Sequence, residues 1–126
     1  MGKFAELTDC ELATMKCVWD AKENITVPEI VEKLKENYGL DYKPTTVYTF
    51  VKKLYDKGFV DYFKRGVKFY YPKRTQAEYI QSELNRTCEF WFDGSKTELV
   101  SALFKGENMS AEEKKDMQQL IDSLDE

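Results

Sequence analysis

A chain of 126 residues, 42% hydrophobic and 33% charged, has the make-up of a soluble globular protein and the length for one ordinary domain, or for a small domain plus a segment that needs a partner to complete its core. No apolar run approaches the roughly 18 residues of a membrane span, and the opening "MGKFAELTDCELATMK" is charged throughout, unlike a secretory leader, so a cytoplasmic protein without membrane insertion is expected. The net charge of −4 hides an asymmetry: Met1 to Arg74 holds 14 Lys and Arg against 11 Asp and Glu, Thr75 to Glu126 holds 5 against 12, and Lys43 to Arg74 alone holds 9 against 2, so the acidic whole does not exclude a polyanionic partner.

The first helix announces itself with a capping box, Thr8 with Glu11 three residues on, and with Leu7 and Leu12 at the positions of a hydrophobic staple. It is predicted to run from about Asp9 to Asp20 and to bury Leu12, Met15, Val18 and Trp19 at spacings of three and four. Cys10 and Cys17 lie on one side of it. They are read either as packed small hydrophobes, the favoured reading, or as a paired thiol site; with Cys88 they are odd in number and form no C-x-x-C pair, so no disulfide framework is expected. "ITVPEI" repeats the capping device with Thr26 and Glu29, placing Pro28 in the first turn. The second helix buries Ile30, Val31 and Leu34 and stops near Gly39.

A third helix is entered through Pro44 and left through Gly58. At about 100° per residue Val47, Phe50, Val51 and Leu54 form its apolar face, with Thr45, Tyr48, Thr49 and Lys52 opposite. After Gly58 the period changes to two: "FVDYF" and "VKFYY" read as a hairpin with the basic tip "KRG", ended by Pro72. Phe63, Phe69 and Tyr71 read as hairpin core, and Asn24 to Ile25 as a short third strand. Three helices followed by a hairpin predict a winged helix-turn-helix over residues 1–74.

Beyond Arg74 the pattern is wholly helical, with further capping boxes at Thr75/Glu78, Ser95/Glu98 and Ser110/Glu113. The apolar positions Ile80, Leu84, Cys88, Trp91, Leu99, Val100, Leu103, Phe104, Met117, Leu120, Ile121 and Leu124 are more than so short a segment can enclose. Residues 75–126 are therefore expected to be a helical dimerisation domain, two copies sharing one core about a two-fold axis. The fold class expected is mainly α with a small β-hairpin.

Duplex DNA demands cations for phosphates and a helix of short polar side chains that can reach base edges in the major groove. The third helix offers Thr45, Tyr48 and Thr49 for bases, with Lys52 and Lys53 toward the backbone. The hairpin tip adds Lys64, Arg65 and Lys68, and Gly66 permits a tight turn. The competing reading, a protein-interaction module that docks an acidic partner on the same basic face, shares these residues. Single-stranded or RNA binding is disfavoured, because the hairpin aromatics read as core rather than as a stacking platform. With no histidine, no phosphate loop and no dinucleotide fingerprint, neither an enzyme nor a metal or cofactor site is expected.

"LTDCELATMKCVW", "ITVPEIVEKL" and "KPTTVYTFVKKLYDKGFVDYFKRGVKFYY" resemble, in order and spacing, the penicillinase-repressor family, which comprises the repressors of β-lactamase and methicillin-resistance operons and their copper-responsive relatives. The resemblance covers nearly the whole chain and is looser in "ELVSALFKGENMSAEEKKDMQQLI". It implies a winged-helix domain, a helical dimerisation domain and dimers on palindromic operators in double-stranded DNA. It adds Lys43 and Thr46 to the residues expected to face the operator. The family often carries a basic residue where Tyr48 stands, which implies a different operator sequence here. Its copper-responsive members bear a C-terminal cysteine cluster that this chain lacks. Its antibiotic-responsive members are cut in the dimerisation domain by a membrane sensor-protease pathway, at an Asn-Phe pair; this chain departs from that pair with Ala102 and Leu103, so the resemblance leaves two alternatives, cleavage in the region of Ala102, Leu103 and Phe104 or release by another signal at this domain.

Overall fold

The computed structural model describes residues 6–105 and 109–124. Its elements run α1 (Asp9–Asp20), α2 (Val27–Tyr38), α3 (Pro44–Asp56), β1 (Val60–Arg65), β2 (Val67–Pro72), α4 (Gln76–Phe92), α5 (Lys96–Lys105) and α6 (Ala111–Leu124). The chain forms two compact units, Met1–Glu83 and Leu84–Glu126.

Local chemistry sets the helix ends. Thr8, Thr26, Thr75 and Ser110 each accept the N3 amide through the side-chain oxygen, while the N3 glutamate accepts the cap residue's own amide. Ser95 accepts the Glu98 amide. At the end of α2, Gly39 takes φ +66°, a left-handed conformation that lets its amide reach the Lys35 carbonyl. Helix α3 starts at Lys43 with no side-chain cap.

In the first unit, α1, α2 and α3 pack around Met15, Val18, Ile30, Leu34, Val47, Val51 and Leu54, closed off by Phe59, Val60 and Tyr70 of the hairpin segment. The inward face of α1 differs from the expected one. Leu12 is 40% exposed and Trp19 only half-buried, whereas Glu11 and Thr14 are buried. Glu11 is drawn inward by its capping role and by Lys57, and the Thr14 hydroxyl donates to the Cys10 carbonyl at 2.8 Å. The buried stripe thus runs through 11, 14, 15 and 18, leaving Leu12 at its edge. Cys10 and Cys17 do not pair: Cys10 contacts the Tyr42 hydroxyl at 3.3 Å, and burial pushes the Cys17 thiol up to about 11.

The hairpin register pairs Tyr62 with Tyr70, Phe63 with Phe69 and Lys64 with Lys68, turning at Gly66 with φ +77°. Side chains alternate across the strands, so a face that buries Val60 and Tyr70 must send Phe63, Phe69 and Tyr71 the other way. Those three are not hairpin core: Phe63 is 40% exposed, Tyr71 is exposed and Phe69 half-buried, with Phe63 and Phe69 stacked at 5.4 Å. The expected third strand is a single bridge, Ile25 exchanging two hydrogen bonds with Tyr70. Tyr79, on the first turn of α4, is buried against Trp19 and Phe59.

In the second unit α5 and α6 bury no residue completely, and no described helix is long and apolar enough to cross a membrane.

Candidate nucleic-acid interface

Three fully buried residues, Val47, Val51 and Leu54, fix the rotation of α3 about its axis. The opposite face follows from the helical period: Thr45, Tyr48, Thr49, Lys52 and Lys53 are exposed, and Thr46 is half-buried at the side. Tyr48 stands 41% exposed in the middle of this ridge. The Thr49 hydroxyl donates to the Thr45 carbonyl at 3.1 Å. Its hydrogen is engaged, so toward a ligand it offers an acceptor oxygen and a methyl group.

Not all the cations counted in the sequence are available. Lys57 is turned inward to Glu11, and Arg74 pairs with Glu6 at 2.8 Å with its guanidinium 4.4 Å above the Phe59 ring. Both serve the fold. Lys43, Lys52, Lys53, Lys64 and Arg65 are exposed around the ridge and the hairpin tip. Lys52 approaches Asp56 at 3.6 Å, but both side chains are more than half open to solvent, so the pair holds the lysine weakly. At the head of α3 Pro44 has no N–H and the Thr46 amide donates to the Lys43 carbonyl at 3.0 Å, so it is the Thr45 amide, capped by no side chain, that stands at the positive end of the helix dipole.

Lys68 behaves differently from its neighbours. Its Nζ lies 4.7 Å from the Tyr62 ring centroid and 5.4 Å from that of Tyr48, and approaches the Tyr48 hydroxyl at 3.4 Å. That hydrogen bond, opposed by slight desolvation and helped by neighbouring tyrosines, holds the ammonium above the usual lysine range. A cavity of about 160 Å³ between α3 and the hairpin is lined by Tyr48, Lys52, Tyr55, Tyr62, Lys68 and Tyr70. The sequence reading missed Tyr55, Tyr62 and Tyr70 here. The available signal was the register itself: strands turning at Gly66 place Tyr62 and Lys64 on one face with Lys68 and Tyr70.

The positions read as a dimer surface are mostly open in the single chain. Ile80, Leu84, Leu103, Leu120 and Ile121 are exposed, Trp91 at 70% and Leu124 at 74%, while Leu99, Phe104 and Met117 are half-buried. Cys88, placed among them by periodicity, is instead buried within the chain. Ala102, Leu103 and Phe104 lie inside α5.

A ridge of hydroxyls and lysines beside a basic hairpin has the chemistry to meet a nucleic acid, and the comparison with known proteins supplies its family. The penicillinase repressor family model matches residues 7–123, almost the whole chain. The chain belongs to the penicillinase repressor family. It is 24% identical over 123 residues to the penicillinase repressor of Bacillus licheniformis, covering 97% of this chain and 94% of that one. Among solved structures, the DNA-binding domain of the repressor BlaI is similar at a TM-score of 0.50 and 29% identity, over 63% of this chain and 94% of the other. The Bacillus licheniformis BlaI monomer in complex with the blaP half-operator is similar at 0.48 and 29%, with the same coverage. As a penicillinase repressor relative with the fold of that DNA-binding domain, the chain is a DNA-binding transcriptional repressor and not an enzyme.

Proposed function

We propose that the protein acts as a homodimer that occludes a promoter by placing α3 of each copy in the major groove of a palindromic operator. Half-sites lie about one helical turn apart or a small multiple of it. The single observation that carries this reading is the outer face of α3: Thr45, Tyr48 and Thr49 stand exposed opposite a fully buried anchor, flanked by exposed Lys43, Lys52 and Lys53. Short polar side chains address base edges, Lys43 and the uncapped head of α3 address one phosphate, and Lys64 and Arg65 at the hairpin tip address the neighbouring backbone.

Dimerisation is supported by the apolar side chains left open on α4, α5 and α6. A single copy exposing Trp91, Leu103, Leu120 and Leu124 gains hydrophobic free energy by covering them with a second copy. The proposed partners are thus operator DNA and a second copy, in the cytoplasm. Derepression follows when the α5 region is cut or rearranged, with Ala102, Leu103 and Phe104 as the segment at risk, by a sensor-protease pathway of the kind the family resemblance implies. A protease must first unwind this stretch of helix, because helical backbone does not fit an extended substrate groove. Once the two copies separate, each binds its half-site without the avidity of the pair.

The test is selection of preferred duplexes from a random library by the full-length protein. The preferred and random sequences are then titrated in about 150 mM salt. A preference of about 10³ with two-fold symmetric sites is expected. Equal affinity for all duplexes sinks the operator reading and leaves the basic face to an acidic protein partner.

A further inference from the structure

We propose that Lys68 is a positioning residue which acts on base recognition through Tyr48, rather than a phosphate contact of the wing; this rests on the DNA-binding reading above. Lys64 and Lys68 sit directly opposite each other across the hairpin and look equivalent in sequence. They are not equivalent in space. Lys64 is exposed, whereas the Lys68 ammonium sits within cation–π distance of two tyrosine rings, one on the wing and one on α3.

The chain of contacts is continuous. The buried Tyr70 packs on Tyr62 at 5.6 Å, Tyr62 packs on Tyr55 of α3 at 5.6 Å, and Lys68 reaches from the Tyr62 ring to the ring and hydroxyl of Tyr48. The wing therefore braces the side chain at the middle of the α3 ridge. An ammonium that keeps these contacts cannot extend to a phosphate at the same time. Its hydrogen bond to the Tyr48 oxygen also orients the phenol: with that oxygen accepting from Lys68, the hydroxyl hydrogen is left to point away, toward an acceptor on a base edge. A lysine that released Tyr48 would leave the ring free to rotate, and discrimination at that base step would fall.

The two roles differ in what salt and sequence do to binding. Removing a cation that neutralises a phosphate lowers the log–log salt slope by about 0.9 and weakens every duplex alike. Removing a brace on Tyr48 leaves the slope unchanged and lowers the ratio of preferred to random affinity. The experiment compares Lys68→Met, Lys64→Met, Tyr48→Ala and the Lys68→Met/Tyr48→Ala double variant on selected and random duplexes across a salt series. Expected are an unchanged slope and an about tenfold smaller preference for Lys68→Met, a slope lower by about 0.9 for Lys64→Met, and no further loss of preference when Lys68→Met is added to Tyr48→Ala. A slope reduced by Lys68→Met, or independent losses in the double variant, overturns the proposal. A DNA-free measurement separates its failure from failure of the operator reading. The ε-methylene protons of Lys68 should resonate upfield from the ring currents of Tyr48 and Tyr62 and move part of the way back in Tyr48→Ala, where the nearer Tyr62 ring remains; a random-coil position in the wild-type protein, or no movement in Tyr48→Ala, refutes the brace, whatever the protein does with DNA.

Discussion

Lys57 Nζ donates to Glu11 Oε1 over 2.6 Å and to the Glu6 carbonyl over 2.9 Å, tying the end of α3 to the first turn of α1. The same carboxylate oxygen accepts the Thr8 amide, so one buried side chain caps α1 and neutralises a lysine. It thereby couples α3 to the rest of the first unit.

The stability of that unit should therefore depend on the charge of Glu11. Burial alone would raise its pKa, but the Lys57 hydrogen bond and the Thr8 amide outweigh it and hold the carboxyl below the ordinary 4.5. A depressed folded pKa contributes stability that is fully present above the unfolded value and is lost as pH falls through the folded one. Melting temperature should fall as pH drops below about 4.5, and Glu11→Gln should flatten that dependence. At pH 7 this substitution should cost about 2 kcal/mol, less than the loss of a fully buried pair because Lys57 is partly open to solvent. Thermal unfolding at pH 7 and pH 3.5 checks both; a parallel pH dependence in the two proteins removes Glu11 from the account.

Thr49→Val should change which sequences are preferred, not how strongly DNA is held in general. The hydroxyl hydrogen is engaged by the Thr45 carbonyl, so the group removed by the substitution is an acceptor that can meet a base amino group. Valine keeps the shape and the methyl contact with thymine. Discrimination at one base step should drop about tenfold, with the salt slope unchanged. Repeating the duplex selection with the variant checks this, and an identical preferred sequence means that Thr49 reads no base.

The elements that local rules define were legible in the sequence. Capping boxes at Thr8, Thr26, Thr75 and Ser110 join residues three apart, and both boundaries of α1 fall where its sequence pattern placed them. What failed depended on distant partners or on which strand face turns inward. Nothing near Glu11 in the sequence reveals Lys57, so Leu12 looked more buriable than a glutamate. In the hairpin both faces are aromatic, and alternation alone does not choose between Tyr62 with Tyr70 and Phe63 with Phe69; contact of Val60 and Tyr70 with the helices decides it. The exposed ridge of α3 was readable from its period. The altered role of Lys68 was not, because it needs the register of the wing against α3.

Lys64→Ala with Arg65→Ala should weaken binding to selected and random duplexes alike. Both side chains are exposed at the tip, with the Arg65 guanidinium 5.9 Å from the Phe63 ring centroid on the outer face. The salt slope should fall by about 0.9 for each phosphate left without its cation, so by nearly two if both residues touch the backbone. Titration at several salt concentrations measures it. An unchanged slope takes the wing tip off the DNA.

Leu120→Asp combined with Leu124→Asp should separate the copies without unfolding either one. Both leucines are among the most exposed apolar residues of α6, at 60% and 74%, so replacing them removes little packing within the chain. In a shared core, two aspartates from each copy would be buried without partners, at a cost of several kcal/mol. Sedimentation should then show a shift from dimer to monomer with helical content retained. Affinity for a two-half-site operator should fall by about 10² while affinity for a single half-site stays the same, because the effect lies in the effective concentration of the second copy and not in how the first copy meets its half-site. Equal losses on both duplexes would mean that the acidic helices support the DNA-binding fold itself, and an unchanged dimer would place the subunit interface elsewhere, with the exposed row of Ile80, Leu84 and Trp91 on α4 the next surface to alter.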